Sequence, residues 1–214
     1  MDSSIRSGSL YLLLCLLYAL SLKTGVPVLV KVAKVLPILL LLALTIRAYA
    51  VTSEKRLVVS ALALFFSAVG DVSWSFVSLM AFFAVAQICY AVSFSRQFRI
   101  HSVWQAVLLV VLTAIVSITC VVVLRHMTAD GCETGLMIGC LVYLLLLTAM
   151  SFFAICQLRP CWALFAVGSL LFVVSDCTIA LGRYAWDVPC RTLLVMGTYY
   201  AAQLMLNIKN FSKL

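Results

Sequence analysis

The sequence predicts an all-α, polytopic membrane bundle of about eight transmembrane helices, and three observations carry that prediction. Hydrophobic residues make up 65% of the 214 and charged residues 10%, with a mean hydropathy of +1.19, which leaves too little polar surface to cover a soluble globule. The apolar residues form long, continuous Leu-, Val- and Ala-rich runs. Lipid admits only helices or closed barrels, and a barrel strand would alternate apolar with polar residues, so these runs are helices. Short polar breaks such as Arg125 to Glu133 and Arg159-Pro160 divide the runs. They leave no stretch for a sizeable soluble domain, and residues 1–214 read as a single membrane-embedded domain.

Taken in order, Leu10 to Leu22 is a 13-residue apolar run between Arg6 and Lys23. Those dimensions would also suit a signal peptide, but no small-x-small cleavage site follows and the run leads into further membrane segments, so a first, short span is expected. Val35 to Ala50 is the second helix, with Pro37 in its first turn, where a missing N–H does no harm, and with Lys31 and Lys34 at its entrance. Leu57 to Trp74 is the third and Phe76 to Phe94 the fourth, joined so tightly that they form an antiparallel hairpin. Arg96, Arg99 and His101 make a basic connector. Val103 to Leu124 is the cleanest span, near the length of about 20 residues that a bilayer requires. The sixth helix runs from Gly135 to Cys156, the seventh from Cys161 to Leu181 and the eighth from Thr192 to Ile208.

An even number of spans puts both termini on one side. Lys and Arg on that side are Arg6, Arg47, Lys55, Arg56, Arg96, Arg99, Arg159, Lys209 and Lys213, nine of the 15, against Lys23, Lys31, Lys34, Arg125, Arg183 and Arg191, so the positive-inside rule places the termini in the cytoplasm. The formal charge of +8 has no run of basic residues behind it, which points to anionic membrane lipids as partners and away from nucleic acid. The nine cysteines are scattered through apolar runs without a C-x-x-C and without clustering on the two histidines; they read as small hydrophobes, with neither a metal site nor a cofactor implied. Nothing in the sequence sets an oligomeric state. Asp71 and Asp176 stand 105 residues apart, and Leu39 to Leu42 falls on Leu144 to Leu147 at the same offset, as a four-plus-four parallel duplication would give.

Function is expected where the apolar pattern is broken at membrane depth. Leu171 to Leu181 reads LFVVSDCTIAL, with Asp176 inside it, and Leu64 to Asp71 reads LFFSAVGD. A carboxylate within a spanning helix costs at least about 2.5–3.5 kcal/mol on insertion scales, so such residues face a bundle interior and mark a site or pathway. Helical spacing puts Ser67, Gly70, Asp71 and Trp74 on one stripe of the third helix and Phe172, Asp176, Ile179 and Arg183 on one of the seventh. Tyr199, Tyr200, Gln203 and Asn207 form a stripe of the eighth, and Gln87 lies one turn from Tyr90 in the fourth. Taken singly, Ser67, Tyr90 and Gln203 are as well explained by interhelical hydrogen bonding.

With AKVLP at Ala33 to Pro37, FSAVGD at Phe66 to Asp71, LFVVSDCTIAL and TYYAAQ at Thr198 to Gln203, the chain closely resembles the YhhN-like lysoplasmalogenase family of multispanning membrane proteins, from about Lys31 onward. The resemblance implies hydrolysis of the vinyl-ether bond of lysoplasmalogens, releasing a fatty aldehyde and glycerophosphoethanolamine or glycerophosphocholine. It implies a lysophospholipid partner within the bilayer and, in a eukaryotic cell, a place in the endoplasmic reticulum. Lys34, Asp71, Asp176, Tyr199, Tyr200 and Gln203 are the matched positions. Where members commonly carry His in an H-x-x-Y pattern, this chain has Gln87 before Tyr90, so a proton-handling role of that His does not transfer. Vinyl-ether hydrolysis needs an acid, a stabilising anion and water, without a cofactor, and two buried carboxylates in unlike surroundings can divide those roles. Lys34 and Arg183 could hold the lipid phosphate. A small transporter would also use intramembrane aspartates and tyrosines, and a weak, lysolipid-binding homologue could follow from the missing His.

Overall fold

The computed structural model describes residues 3–95, 99–157 and 162–211, and these form eight helices. They are α1 Ser3–Ser21, α2 Pro27–Thr52, α3 Lys55–Val72, α4 Phe76–Ser95, α5 Val103–Ala129, α6 Thr134–Ile155, α7 Trp162–Tyr184 and α8 Arg191–Phe211. All eight expected helices are found, with most ends within a few residues. Arg96, Arg159, Pro160, Cys161 and Lys213, which entered the connector, span-boundary and charge readings, lie outside the described residues.

The connectors follow from local chemistry. Pro27 starts α2, where its fixed φ suits the first turn, and Ser53 ends it in the left-handed region at φ 52°, its N–H on the Tyr49 carbonyl at 2.8 Å. Ser102 caps α5, its Oγ accepting from the Trp104 N–H at 3.2 Å while Gln105 Oε1 accepts from the Ser102 N–H at 3.2 Å, a reciprocal capping box. Gln105 is fully buried and its Nε2 donates to the Ile155 carbonyl at 2.8 Å. The Arg99 N–H donates to the Cys156 carbonyl at 2.7 Å, so carbonyls that α6 leaves open at its end are satisfied. Gly131, at φ +66°, ends the α5 turn.

Two expectations are corrected. Pro37 does not lie in a first turn: α2 begins at Pro27, eight residues before the expected Val35, so Pro37 falls inside the helix and is buried. The apolar pattern continues upstream through VLVKVA, and both lysines are accommodated by partners on the α3 side described below. Trp74 does not extend the Asp71 stripe: α3 stops at Val72, and Trp74 stands in the connector, 94% exposed.

Five helices, α2, α4, α5, α6 and α7, are long and apolar enough to cross a membrane, and the protein is an integral membrane protein. The other three expected spans are less apolar or shorter. α3 holds Lys55, Arg56 and Asp71 within its 18 residues, α8 carries a row of Tyr, Gln and Asn, and the apolar part of α1 is Arg6–Ser21. Large apolar side chains such as Leu12, Leu16, Val110, Ile118 and Leu145 are more than half exposed, the signature of a surface in contact with lipid.

The chain divides into two compact units, residues 1–93 with 207–214, and residues 94–206. In the first, α1 packs on α2 and α2 on α3; in the second, α5, α6 and α7 pack on one another. The division falls within the last turn of α4, and the end of α8 belongs to the first unit.

Candidate functional site

In the first unit the site is built on α2 and α3. Asp71 is the penultimate residue of α3 and is 6% exposed. Lys34 reaches it from α2: Nζ lies 3.0 Å from Asp71 Oδ1 and donates to the Asp71 backbone carbonyl at 3.4 Å. The carboxylate side chain is 2% exposed and the lysine 23%, so the long stem of Lys34 brings an ammonium to a buried anion. Three residues earlier on the same face of α2, Lys31 holds Nζ 4.2 Å from the ring centre of Trp74, three residues beyond Asp71. α2 thus makes successive rungs with the end of α3 and with the connector that follows it. The inner one is an ion pair, and the outer is a cation on an exposed indole, an arrangement suited to a membrane–water boundary.

Also in the first unit, Gln87 and Tyr90 are buried on α4, and the Tyr90 hydroxyl accepts from Asn207 Nδ2 at 2.8 Å. Asn210 Nδ2 donates to Asn207 Oδ1 at 3.0 Å. Gly70, beside Asp71, packs under Phe83, whose ring would meet an added Cβ at 2.7 Å.

In the second unit Asp176 lies within α7 at 8% exposure. Tyr143, near the middle of α6, donates its hydroxyl to Asp176 Oδ2 at 2.5 Å. Phe172, one turn before Asp176, is fully buried and meets the edge of Tyr199 with ring centres 5.7 Å apart, and Tyr199 lies 5.7 Å from Tyr200. Ser175 Oγ donates to the Val195 carbonyl at 3.1 Å, and an added Cβ at Gly168 would lie 2.9 Å from Met205 Cβ, so a small residue lets α7 and α8 approach closely. Gln203 is fully buried on α8. Arg183 ends α7 exposed, its guanidinium 5.6 Å from the Tyr184 ring centre, and Arg191 at the start of α8 donates to the Gly182 carbonyl.

The structure therefore joins Lys34 to Asp71 in one unit and Tyr143 to Asp176 in the other. The ammonium expected to meet a phosphate already faces a carboxylate. Tyr143 is the residue that sequence reading missed. Its signal was present, since it is a hydroxyl-bearing side chain in the middle of the apolar run LVYLLLL, but its partner is set by how α6 packs on α7. Asn207 was visible only as part of a polar stripe and Asn210 was not singled out; their link to Tyr90 is tertiary.

Comparison with known proteins places the chain among relatives named as lysoplasmalogenases. Lysoplasmalogenase TMEM86A of Bos taurus is 33% identical over 156 residues, covering 67% of this chain and 61% of that protein. Lysoplasmalogenase TMEM86A of Homo sapiens is 35% identical over 155 residues, 66% of this chain and 60% of that protein. Lysoplasmalogenase TMEM86B of Homo sapiens is 33% identical over 151 residues, 68% and 60%. The chain spans about three-fifths of the length of these curated relatives. No solved structure matches it. The YhhN family matches residues 29–209, a stretch that runs from the first turn of α2 into the last turns of α8, and on that extent the chain belongs to the YhhN family.

Proposed function

We propose that this protein is a membrane-embedded lysoplasmalogenase, a hydrolase that cleaves the vinyl-ether bond of a lysoplasmalogen to a fatty aldehyde and glycerophosphoethanolamine or glycerophosphocholine. The observation that carries the reading is that Asp71 and Asp176, in a chain whose relatives are lysoplasmalogenases, sit at 6% and 8% exposure among apolar helices and each meets a partner from the preceding helix. Carboxyl groups kept there at such cost are candidates for chemistry.

The reaction adds a proton to the outer alkene carbon of the vinyl ether. The alkene π electrons form the new C–H bond, and the ether oxygen shares the resulting positive charge as an oxocarbenium ion. Water adds to that ion and releases a proton, and the hemiacetal collapses to aldehyde and alcohol. We assign the proton handling to Asp71 and Asp176, with Lys34, Gln87, Tyr90, Arg183, Tyr199, Tyr200 and Gln203 as substrate contacts. The Lys and Arg asymmetry supports cytoplasmic termini, and the endoplasmic reticulum is the membrane we propose in a eukaryotic cell.

Purified protein is given a lysoplasmalogen and aldehyde release is followed. Turnover is expected, and Asp71→Asn and Asp176→Asn are each expected to abolish it with the folded protein still obtained. Near wild-type release by either variant would remove that residue from the mechanism. Flux of the lipid into sealed vesicles without aldehyde would make the protein a transporter, and tight binding without turnover an inactive homologue.

A further inference from the structure

We infer that Asp176 is the proton donor of the reaction and that Tyr143 is its positioning residue, an inference that rests on the function proposed above. Lys34 and Asp71 already form an ammonium–carboxylate pair at 3.0 Å, an arrangement suited to holding charge and not to giving up a proton. Asp176 is differently placed. Its Oδ2 accepts the Tyr143 hydroxyl at 2.5 Å, at the short end of O–H···O hydrogen bonds. Both ends of that bond are borne on rigid elements, Tyr143 ten residues into α6 and Asp176 within α7, two helices packed along each other.

Two consequences follow from this geometry. A carboxyl group turns about its Cβ–Cγ bond, and holding Oδ2 stops that turn. With Oδ2 held by the Tyr143 hydrogen bond, we place the exchanged proton of Asp176 on Oδ1. When the Oδ1–H bond breaks and the alkene carbon takes the proton, the bonding pair stays on Asp176 as a carboxylate, and the Tyr143 hydrogen bond strengthens as that charge develops. It stabilises the transition state more than the ground state, so it acts on kcat. The water that captures the oxocarbenium ion later returns a proton to Oδ1, and the residue is restored.

The test is Tyr143→Phe, which keeps the ring and removes only the hydroxyl. With wild-type turnover of a lysoplasmalogen as reference, kcat is expected to fall by about 10- to 100-fold, as for loss of one hydrogen bond to a charged group. KM is expected to stay within about twofold. The pH–rate profile of kcat is expected to move, because the two protonation forms of Asp176 use that hydrogen bond unequally, whereas a merely structural role would scale the profile and leave it in place. Unchanged kcat, a loss confined to KM, or a fall in kcat with the profile unmoved overturns the inference. Should Tyr143→Phe not purify folded, a ring-fluorinated tyrosine at position 143 keeps ring and hydroxyl while changing the acidity of the donor, and an unmoved profile there is equally decisive against it. Absence of aldehyde from the wild-type protein instead rejects the proposed function itself, so the two failures are distinguishable.

Discussion

Replacing Lys34 by methionine isolates the ion pair at the end of α3. Methionine keeps an unbranched stem of similar length, so packing along α2 is retained and the charge is lost. Two unit charges 3.0 Å apart attract by about 5–6 kcal/mol at an effective dielectric near 20. Desolvation of both groups offsets part of this, and the 23% exposure of the lysine side chain admits some solvent screening. Removing one partner of a buried pair costs about 3–5 kcal/mol, mainly because the other charge is stranded. The Asp71 side chain, 2% exposed, is the stranded group, and the partial exposure of Lys34 sets the loss near the lower bound, about 3 kcal/mol. Chemical unfolding in detergent micelles, followed by the helical circular-dichroism signal, measures it. Lys34→Met combined with Asp71→Asn removes both charges and is expected to recover most of that stability. A single variant within about 0.5 kcal/mol of wild type, or a double variant no more stable than the single one, would refute the reasoning.

Two further outcomes are expected. Gln87→His is expected to change the rate by less than about tenfold, because the proposed mechanism gives the acid and base work to the aspartates; a gain in the range of about 10²–10⁴ typical of general acid–base catalysis would move the proton work to position 87. Gly168→Val is expected to destabilise the protein by about 2–3 kcal/mol through overpacking, since the new Cβ lies 2.9 Å from Met205 Cβ, an atom next to the backbone that cannot swing aside; unchanged unfolding in the same micelle assay would contradict the close α7–α8 approach.

Helix number and order were legible because lipid imposes one solution on a continuous apolar run. What was not legible is informative in each instance. The start of α2 was placed eight residues late because Lys31 and Lys34 look like the end of a span, whereas the structure gives each a partner, Trp74 and Asp71. Pro37 then looked like a first-turn proline, although a membrane helix tolerates an interior one where neighbouring groups re-satisfy the backbone. Asp71 and Asp176 were legible as polar anomalies in apolar helices. Tyr143 was not, because a tyrosine is amphipathic and common in such segments, and only the packing of α6 on α7 turns its hydroxyl into a partner of Asp176. Periodicity reports which face of a helix is special; it does not report what stands opposite that face.

The partners also share an order. Within the first unit, the second helix supplies Lys34 to an aspartate on the third; within the second unit, the second helix supplies Tyr143 to an aspartate on the third. The aspartates are 105 residues apart in sequence and their partners 109, a difference of about one helical turn. The shared order has a physical basis, since a buried carboxyl group in lipid has to be satisfied and the preceding helix is the nearest source of a donor. The chemical interest lies in where the two settings differ. One aspartate faces an ammonium and the other accepts from a phenol, so the two carboxyl groups meet donors of different charge. Unlike surroundings are what allow two otherwise identical side chains to take separate roles in one reaction.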